Sequence, residues 1–290
     1  MKIGVDYYPE HWDRTLWRQD ADLMKKSGVE LVRMAEFAWS KMEPEEGIFD
    51  FAWLDEVVEL FAGREIGVIL CTPTNCPPLW LYEKYPEVLL TGRDGRRQKP
   101  AVRGHRCYNA PRYRERVELM VRKMAEHYQD AGNIAAWQID NEVEAGFCCC
   151  DVCAEKFREW VKNKYGTLEA VNQAYHNDVW SGSYSAWSQI PAPVGNYPVT
   201  QYNPAYLLDY QRFMSESTID YVEFQAGILR EYFPDTPITT NTWFCEHMPD
   251  FYKLFDKLDF CSYDNYPATK LPEEGYYSHA FHLDLIRGVK

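Results

Sequence analysis

Two short patterns have side chains of the right type and spacing to do chemistry, and both lie within one stretch, Trp137–Cys153 (WQIDNEVEAGFCCCDVC). The first is Asn141-Glu142. An amide beside a carboxyl can hydrogen-bond a substrate hydroxyl next to a reacting carbon while the carboxyl reaches the leaving oxygen. That pairing suits cleavage of a glycosidic bond, in which one carboxyl protonates the leaving group and a second, about 5 to 5.5 Å away in retaining enzymes, attacks the anomeric carbon. The dipeptide alone is more often a surface turn, and its place after a fourth strand is what favours chemistry. The second pattern is C-x-C-x-x-C at Cys148, Cys150 and Cys153, close enough for one loop to offer three thiolates to a tetrahedral ion such as Zn2+, which favours closed sites of four Cys or His ligands. Cys107, in RGHRCYN, is the natural fourth ligand and His105 a weaker one. Cys149 leaves open which three of the four local cysteines take part, and free thiols are the alternative to any metal. Cys71, Cys76, Cys245 and Cys261 are scattered near strands and read as buried structural thiols.

The elements that must position these residues alternate along the chain. Strands are expected at Ile3–Tyr8, Val29–Met34, Gly67–Leu70, Ile134–Ile139, Ile238–Trp243 and Asp259–Tyr266. Helical spacing links Leu54, Val57, Val58 and Phe61; then Val117, Met120, Val121, Met124 and Tyr128; then Tyr210, Phe213, Met214, Ser217, Tyr221, Phe224 and Ile228. A short helix is expected around Phe251–Asp256, and SHAFHLDLIRG reads as the last one. Strand and helix alternating with connections of this length imply parallel strands and right-handed crossovers, either a doubly wound sheet or a β/α barrel. No GxGxxG follows the first strand and no GxxxxGK[ST] occurs, so the usual phosphate-binding signatures of nucleotide-binding sheets are absent. Polar and aromatic groups gather instead at the strand ends: Tyr8-Pro9-Glu10-His11, Glu36-Phe37-Ala38-Trp39, Thr72-Pro73-Thr74-Asn75, Asp140-Asn141-Glu142, Asn241-Thr242-Trp243 and Asp264-Asn265-Tyr266. That is what the C-terminal face of a barrel requires. The expectation is an α/β fold, a (β/α)8 TIM barrel with about six of its eight strand-helix units present.

Composition narrows the partners. Against 31 Lys and Arg stand 44 Asp and Glu, a formal charge of -13, which repels phosphate backbones and anionic lipid headgroups. Neither nucleic acid nor a membrane is an expected partner. The N-terminus MKIGVDYYPEHW lacks the basic and apolar regions of a secretory signal, and no apolar run spans a bilayer, so a soluble cytoplasmic protein is expected. Nine cysteines in a chain of this length fit reduced thiols with some metal binding better than a disulfide framework.

With these residues in view, the chain resembles the glycoside hydrolase family 42 β-galactosidases. The resemblance is carried by GVDYYPEHW at 4–12, RMAEFAWSKMEPEEGIFDFAWLD at 33–55, CPPLW at 76–80, WQIDNE at 137–142, CCCDVC at 148–153 and LDFCSYDNYP at 258–267. It implies a (β/α)8 barrel, a retaining double displacement on terminal β-D-galactosides or oligosaccharides, and a homotrimer for the full-length protein. It also implies roles: Glu142 as general acid/base, Asn141 holding the 2-hydroxyl, Arg103 binding galactose, Tyr266 lining the same pocket, Trp39 and Phe37 as the aromatic wall of the cleft. Cys107, Cys148, Cys150 and Cys153 match the structural zinc site found in many members.

In the family the nucleophilic glutamate follows strand seven, just beyond a helix resembling FHLDLIRGV. Residues 1–290 therefore read as a catalytic barrel domain cut before strand seven, without trimerisation and C-terminal domains, and nearly inactive alone. Glu273 and Glu274 are placed in the loop after strand six and Glu144 two residues from Glu142, so none substitutes for the nucleophile. Two rivals are a related barrel glycosidase for another sugar, such as α-L-arabinopyranosides, and a non-catalytic zinc-stabilised carbohydrate-binding fragment.

Overall fold

The computed structural model of the chain describes residues 2–100, 103–195, 201–244, 247–266 and 272–290. Five strands run parallel in sequential order: β1 (Gly4–Asp6), β2 (Leu31–Met34), β3 (Gly67–Cys71), β4 (Ile134–Gln138) and β5 (Ile238–Thr239). A second parallel pair joins β6 (Asn241–Thr242) to β7 (Ser262–Tyr263). The run expected as a fifth strand, Ile238–Trp243, is thus divided at Thr240. Its first half faces β4, with Ile238 opposite Trp137, and its second half faces β7, with Asn241 opposite Ser262. Thr240 turns the corner with its hydroxyl donating to Ile139 O at 2.7 Å. Strands in chain order, all parallel and joined by helices, form an arc of a β/α barrel.

Between the strands lie α1 (Arg14–Lys26), α2 (Trp39–Met42), α3 (Ala52–Ala62), α4 (Leu79–Lys84), α5 (Pro111–Tyr128), α6 (Asp151–Tyr165), α7 (Leu168–Tyr175), α8 (Pro204–Tyr232), α9 (Phe251–Asp256) and α10 (Pro272–Arg287). The chain writes their ends locally. Asp13 caps α1 by accepting from Thr15 N at 2.9 Å, and Gly28, at φ 81°, lets the chain leave that helix in the left-handed region. Asn203 and Pro204 start α8 in the same manner. The apolar stripes read from the sequence are the buried ones: Leu54, Val57 and Phe61 on α3, and Val117, Met120, Val121 and Met124 on α5, are all fully buried.

Strand alternation separates the two faces of the arc. Val32, Met34, Val68, Leu70 and Trp137 are fully buried against the helices. Leu31, Arg33, Gly67 and Ile69, on the inner face, are only half-buried. At the first end of the arc β1 is exposed throughout, and at the other α10 leaves Tyr277, Phe281 and Leu285 exposed at spacings i, i+4 and i+8.

Several boundaries differ from those expected. The first strand stops at Asp6, because Pro9 opens a 3-10 turn, Pro9–His11. The sixth keeps only Ser262 and Tyr263 in a ladder. The last helix starts at Pro272, so Glu273 and Glu274 lie in it and not in a preceding loop. The helices α2, α4, α6 and α7 have no counterpart in the sequence reading.

Candidate active site

Asn141 and Glu142 leave the C-terminal end of β4, as expected. Their position is set by Asp140, which is fully buried at φ 54°, followed by Glu142 at φ 50°. Left-handed backbone at a non-glycine residue needs local hydrogen bonds to hold it. Asp140 N donates to Thr72 Oγ1 at 2.8 Å, Asn141 N donates to Asp140 Oδ1 at 2.7 Å, and Glu142 N donates to Asn241 Oδ1 at 2.9 Å. The Asp140 carboxylate also accepts from Arg106 Nη2 at 2.7 Å and from the hydroxyls of Thr74 and Tyr221, both at 2.8 Å. Arg106 lies 5.0 Å from the centre of the Tyr108 ring, which stacks on Tyr221 at 4.3 Å. A charge pair sealed under aromatic rings therefore fixes the turn that presents Asn141 and Glu142.

Around Glu142 the expected residues gather, with one exception. Arg103 Nη2 is 3.2 Å from Glu142 Oε2, and the same guanidinium lies 5.7 Å from the centre of the Phe37 ring, which stacks on Tyr8 at 5.8 Å. Tyr266 is exposed at the rim, its phenol raised by partial desolvation and then by the negative charges of Asp264 and Glu142. Trp39 is the exception. It is fully buried, its indole N–H donates to Glu43 Oε2 at 2.8 Å and its ring tilts against Tyr113, so it belongs to the core and forms no wall of a cleft. The cause is its place on α2, which turns the ring toward Tyr113 of α5.

Three site residues escaped the sequence reading. Asp264 is hydrogen-bonded to Glu142; burial, then the charge of Glu142, push its carboxyl from 3.8 up to about 7. Asn241 is buried and its Nδ2 donates to Asp264 Oδ2 at 2.6 Å and to Asn141 Oδ1 at 3.1 Å. Arg33 donates to Asp6 at 2.8 and 3.1 Å and to Gln138 Oε1 at 3.1 Å, and pairs with the buried Glu36 at 2.9 Å. Arg33 was legible: a charge in the middle of an apolar strand, VELVRM, must point into the barrel. Asn241 and Asp264 stood at strand ends among the converging polar groups, but their partners depend on β6 and β7 being adjacent. Beside Glu142 a cavity of about 310 Å³ is lined by Arg103, Tyr108, Glu144, Cys148, Met214 and Trp243 among others. Glu144 accepts from Trp243 Nε1 at 3.2 Å there.

The cysteines converge as a separate centre. Ligand atoms of Cys107, Cys148, Cys150 and Cys153 lie within 4.8 Å of one another. Cys107 Sγ is 3.4 Å from Cys153 Sγ and 3.8 Å from Cys150 Sγ. A tetrahedron with metal–sulfur bonds of about 2.3 Å has edges of about 3.8 Å, so four thiolates at these separations fit an ion of zinc's size. Cys150 is the N-cap of α6 and Cys153 sits in its first turn; Cys107 is held by its N–H to Val88 O at 2.8 Å. The two open alternatives close. Cys149 turns to Pro193 O at 3.9 Å, and His105 Nδ1 meets Gln98 Oε1 at 3.2 Å. Of the other thiols, Cys71 is buried, Cys76 and Cys261 are half-buried, and Cys245 lies outside the described residues.

An arc of parallel strands that brings an Asn-Glu turn at the end of its fourth strand against arginine and tyrosine has the form of a β/α barrel's active face. Residues 6–290 match the β-galactosidase family, glycoside hydrolase family 42, and the chain belongs to that family. It is 56% identical to the β-galactosidase BgaA of Clostridium cellulovorans over 292 residues, covering 100% of this chain and 44% of that protein. It is 39% identical to the β-galactosidase BgaA of Thermus sp., covering 99% and 47%. Among solved structures, β-galactosidase from the psychrophilic Marinomonas ef1 superposes with a TM-score of 0.92 at 35% identity, covering 100% of this chain and 46% of that one. The catalytic domain of a β-amylase from Paenibacillus polymyxa superposes at 0.71 with 14% identity over 90% of this chain and 76% of that one, a likeness of fold alone. The chain thus spans under half the length of the curated relatives it matches.

Proposed function

We propose that this chain is the acid/base-bearing part, residues 1–290, of a retaining β-galactosidase acting on terminal β-D-galactosides. The carrying observation is the Arg103–Glu142 pair at 3.2 Å beside Asn141, at the end of the fourth barrel strand of a chain that matches the family over residues 6–290. In this reading Glu142 gives its proton to the leaving oxygen and later takes one from water. It has a neighbour for either state: Asp264 can share a proton with it, and Arg103 can face it as a carboxylate. Asn141 holds the hydroxyl next to the anomeric carbon, and Arg103, Phe37 and Tyr266 surround the sugar. The attacking carboxylate comes from the portion of the relatives that this chain does not span, so residues 1–290 alone turn over little or no substrate.

Zn2+ on Cys107, Cys148, Cys150 and Cys153 has a structural part in this reading. It ties the segment leaving β4, which carries Glu142, to the segment after β3, which carries Arg103, and supplies folding free energy. The whole protein is read as a cytoplasmic homotrimer. No helix among the described residues is long and apolar enough to cross a membrane.

The test joins residues 1–290 to the remaining part of the Clostridium cellulovorans relative and assays nitrophenyl β-galactoside, β-glucoside and α-L-arabinopyranoside. Expected are preference for the galactoside and a loss of at least about a hundredfold in Glu142→Gln, as for removal of a general acid. A folded chimaera that hydrolyses none of the three, or whose rate is indifferent to Glu142→Gln, overturns the reading.

A further inference from the structure

Amide side chains at an active site are ambiguous until something fixes which end is oxygen and which is nitrogen. Here the fixed point is the backbone N–H of Glu142, which can only donate. It donates to the side chain of Asn241 at 2.9 Å, so that atom of Asn241 is the oxygen. Gln138 Nε2 donates to the same oxygen at 3.1 Å, and Gln138 is fixed in turn because its other end accepts from Arg33, at 3.1 Å, which also can only donate. Asn241 must then turn its NH2 toward Asn141 and Asp264, at 3.1 and 2.6 Å. With 1% of its surface exposed, Asn241 has spent both lone pairs and both protons on four named partners. Asn141 must accordingly offer its oxygen inward, where Arg33 Nη1 also approaches at 3.5 Å. Among the described residues no protein acceptor meets Asn141 Nδ2, and Asn141 is 2% exposed, so that NH2 is its only group left to address a ligand.

We propose that Asn241 is a positioning residue that sets the hydrogen-bonding sense of Asn141, so that Asn141 presents a donor and never an acceptor to the ligand. This rests on the reading of the cleft as a galactoside site, and it deepens that reading. The ligand group opposite Asn141 must be an acceptor, a hydroxyl that sends its own proton elsewhere. A sugar carrying an ammonium at that carbon has donors only, and meets a donor.

Asn241→Asp tests this, since it keeps an oxygen for Glu142 N–H and Gln138 but withdraws the NH2. The carboxylate oxygen that then faces Asn141 is an acceptor and draws its NH2 inward, turning its oxygen toward the ligand against only the longer Arg33 contact at 3.5 Å. Binding of galactose and of 2-amino-2-deoxygalactose to residues 1–290 is followed by NMR titration. Expected is that the parent chain prefers galactose, that Asn241→Asp shifts the ratio of affinities by about tenfold toward the amino sugar, and that Asn141→Ala abolishes discrimination. An unchanged ratio in Asn241→Asp overturns the proposal.

If the parent chain binds neither sugar, the galactoside reading of this chain fails, and a sugar-free measurement decides the proposal. In Asn241→Asp the Asn141 side-chain NH2 resonances should shift and exchange more slowly, with the Glu142 amide still protected, whereas Asn241→Ala should expose that amide. Asn141 NH2 signals indifferent to Asn241→Asp refute it, and loss of Glu142 protection only in Asn241→Ala confirms that the Asp variant is folded.

Discussion

Replacing Asp140 with Ala should be among the most damaging single changes in the chain, although no substrate touches it. Asp140 has no exposed side-chain surface and its partner Arg106 has 5%, with 2.7 Å between them. Truncation leaves a guanidinium buried without a counter-charge, which costs about 3–5 kcal/mol. It also puts Ala in the left-handed region at φ 54°, adding about 1 kcal/mol. The hydroxyls of Thr74 and Tyr221 lose an acceptor too, although each can rotate toward another. A total of about 4–6 kcal/mol in a chain of this size lowers the melting temperature by about 8–15 °C. Circular dichroism with heat and with urea measures both quantities. The attribution to a stranded charge is checked by adding Arg106→Met: the double variant should recover most of the 3–5 kcal/mol, since an apolar pair does not need the compensation. A loss under about 1 kcal/mol in Asp140→Ala, or no recovery in the double variant, would show that this pair is not what holds the turn.

Three further outcomes are expected. Elemental analysis should find one Zn per chain, and Cys150→Ser should lose it; EDTA should lower the melting temperature of the parent chain alone, and a metal-free parent of equal stability would remove the site. Asp264 has a folded-state pKa near 7 against an ordinary 3.8, so the folded state binds its proton more tightly than the unfolded one. Its contribution is therefore full below about pH 4 and is lost as pH rises through 7; Asp264→Asn, which mimics the neutral form, should flatten that part of the stability curve, and parallel curves would contradict the shift. Trp39→Phe should cost about 1–3 kcal/mol of stability through the lost bond to Glu43 and leave galactose affinity unchanged, whereas Phe37→Ala should weaken affinity several-fold at little cost in stability. Equal effects of the two on affinity would return Trp39 to the cleft.

The sequence by itself determined the order of the elements and the chemical inventory. Period-two and period-3.6 patterns are local, so β2, β3 and β4 and the buried stripes of α3 and α5 could be read within a residue or two. The Cys148, Cys150 and Cys153 spacing and the Asn141-Glu142 pair at a strand end are equally local. The short helices α2 and α4 bury too little to leave a period, and the corner at Thr240 that splits one run into β5 and β6 depends on which neighbours each half meets. What only the tertiary structure decided is who faces whom across long separations. Cys107 meets Cys153, Arg106 meets Asp140, Asn241 meets Asn141 and Asp264 meets Glu142 because parallel strands in barrel order bring their C-terminal ends to one face. Trp39 shows the same rule from the other side: its residue type suggests a sugar-facing ring, but the direction of the helix that carries it turns the indole into the core. Residue type and spacing specify what a group can do, and only the packing of the strands specifies what it is next to.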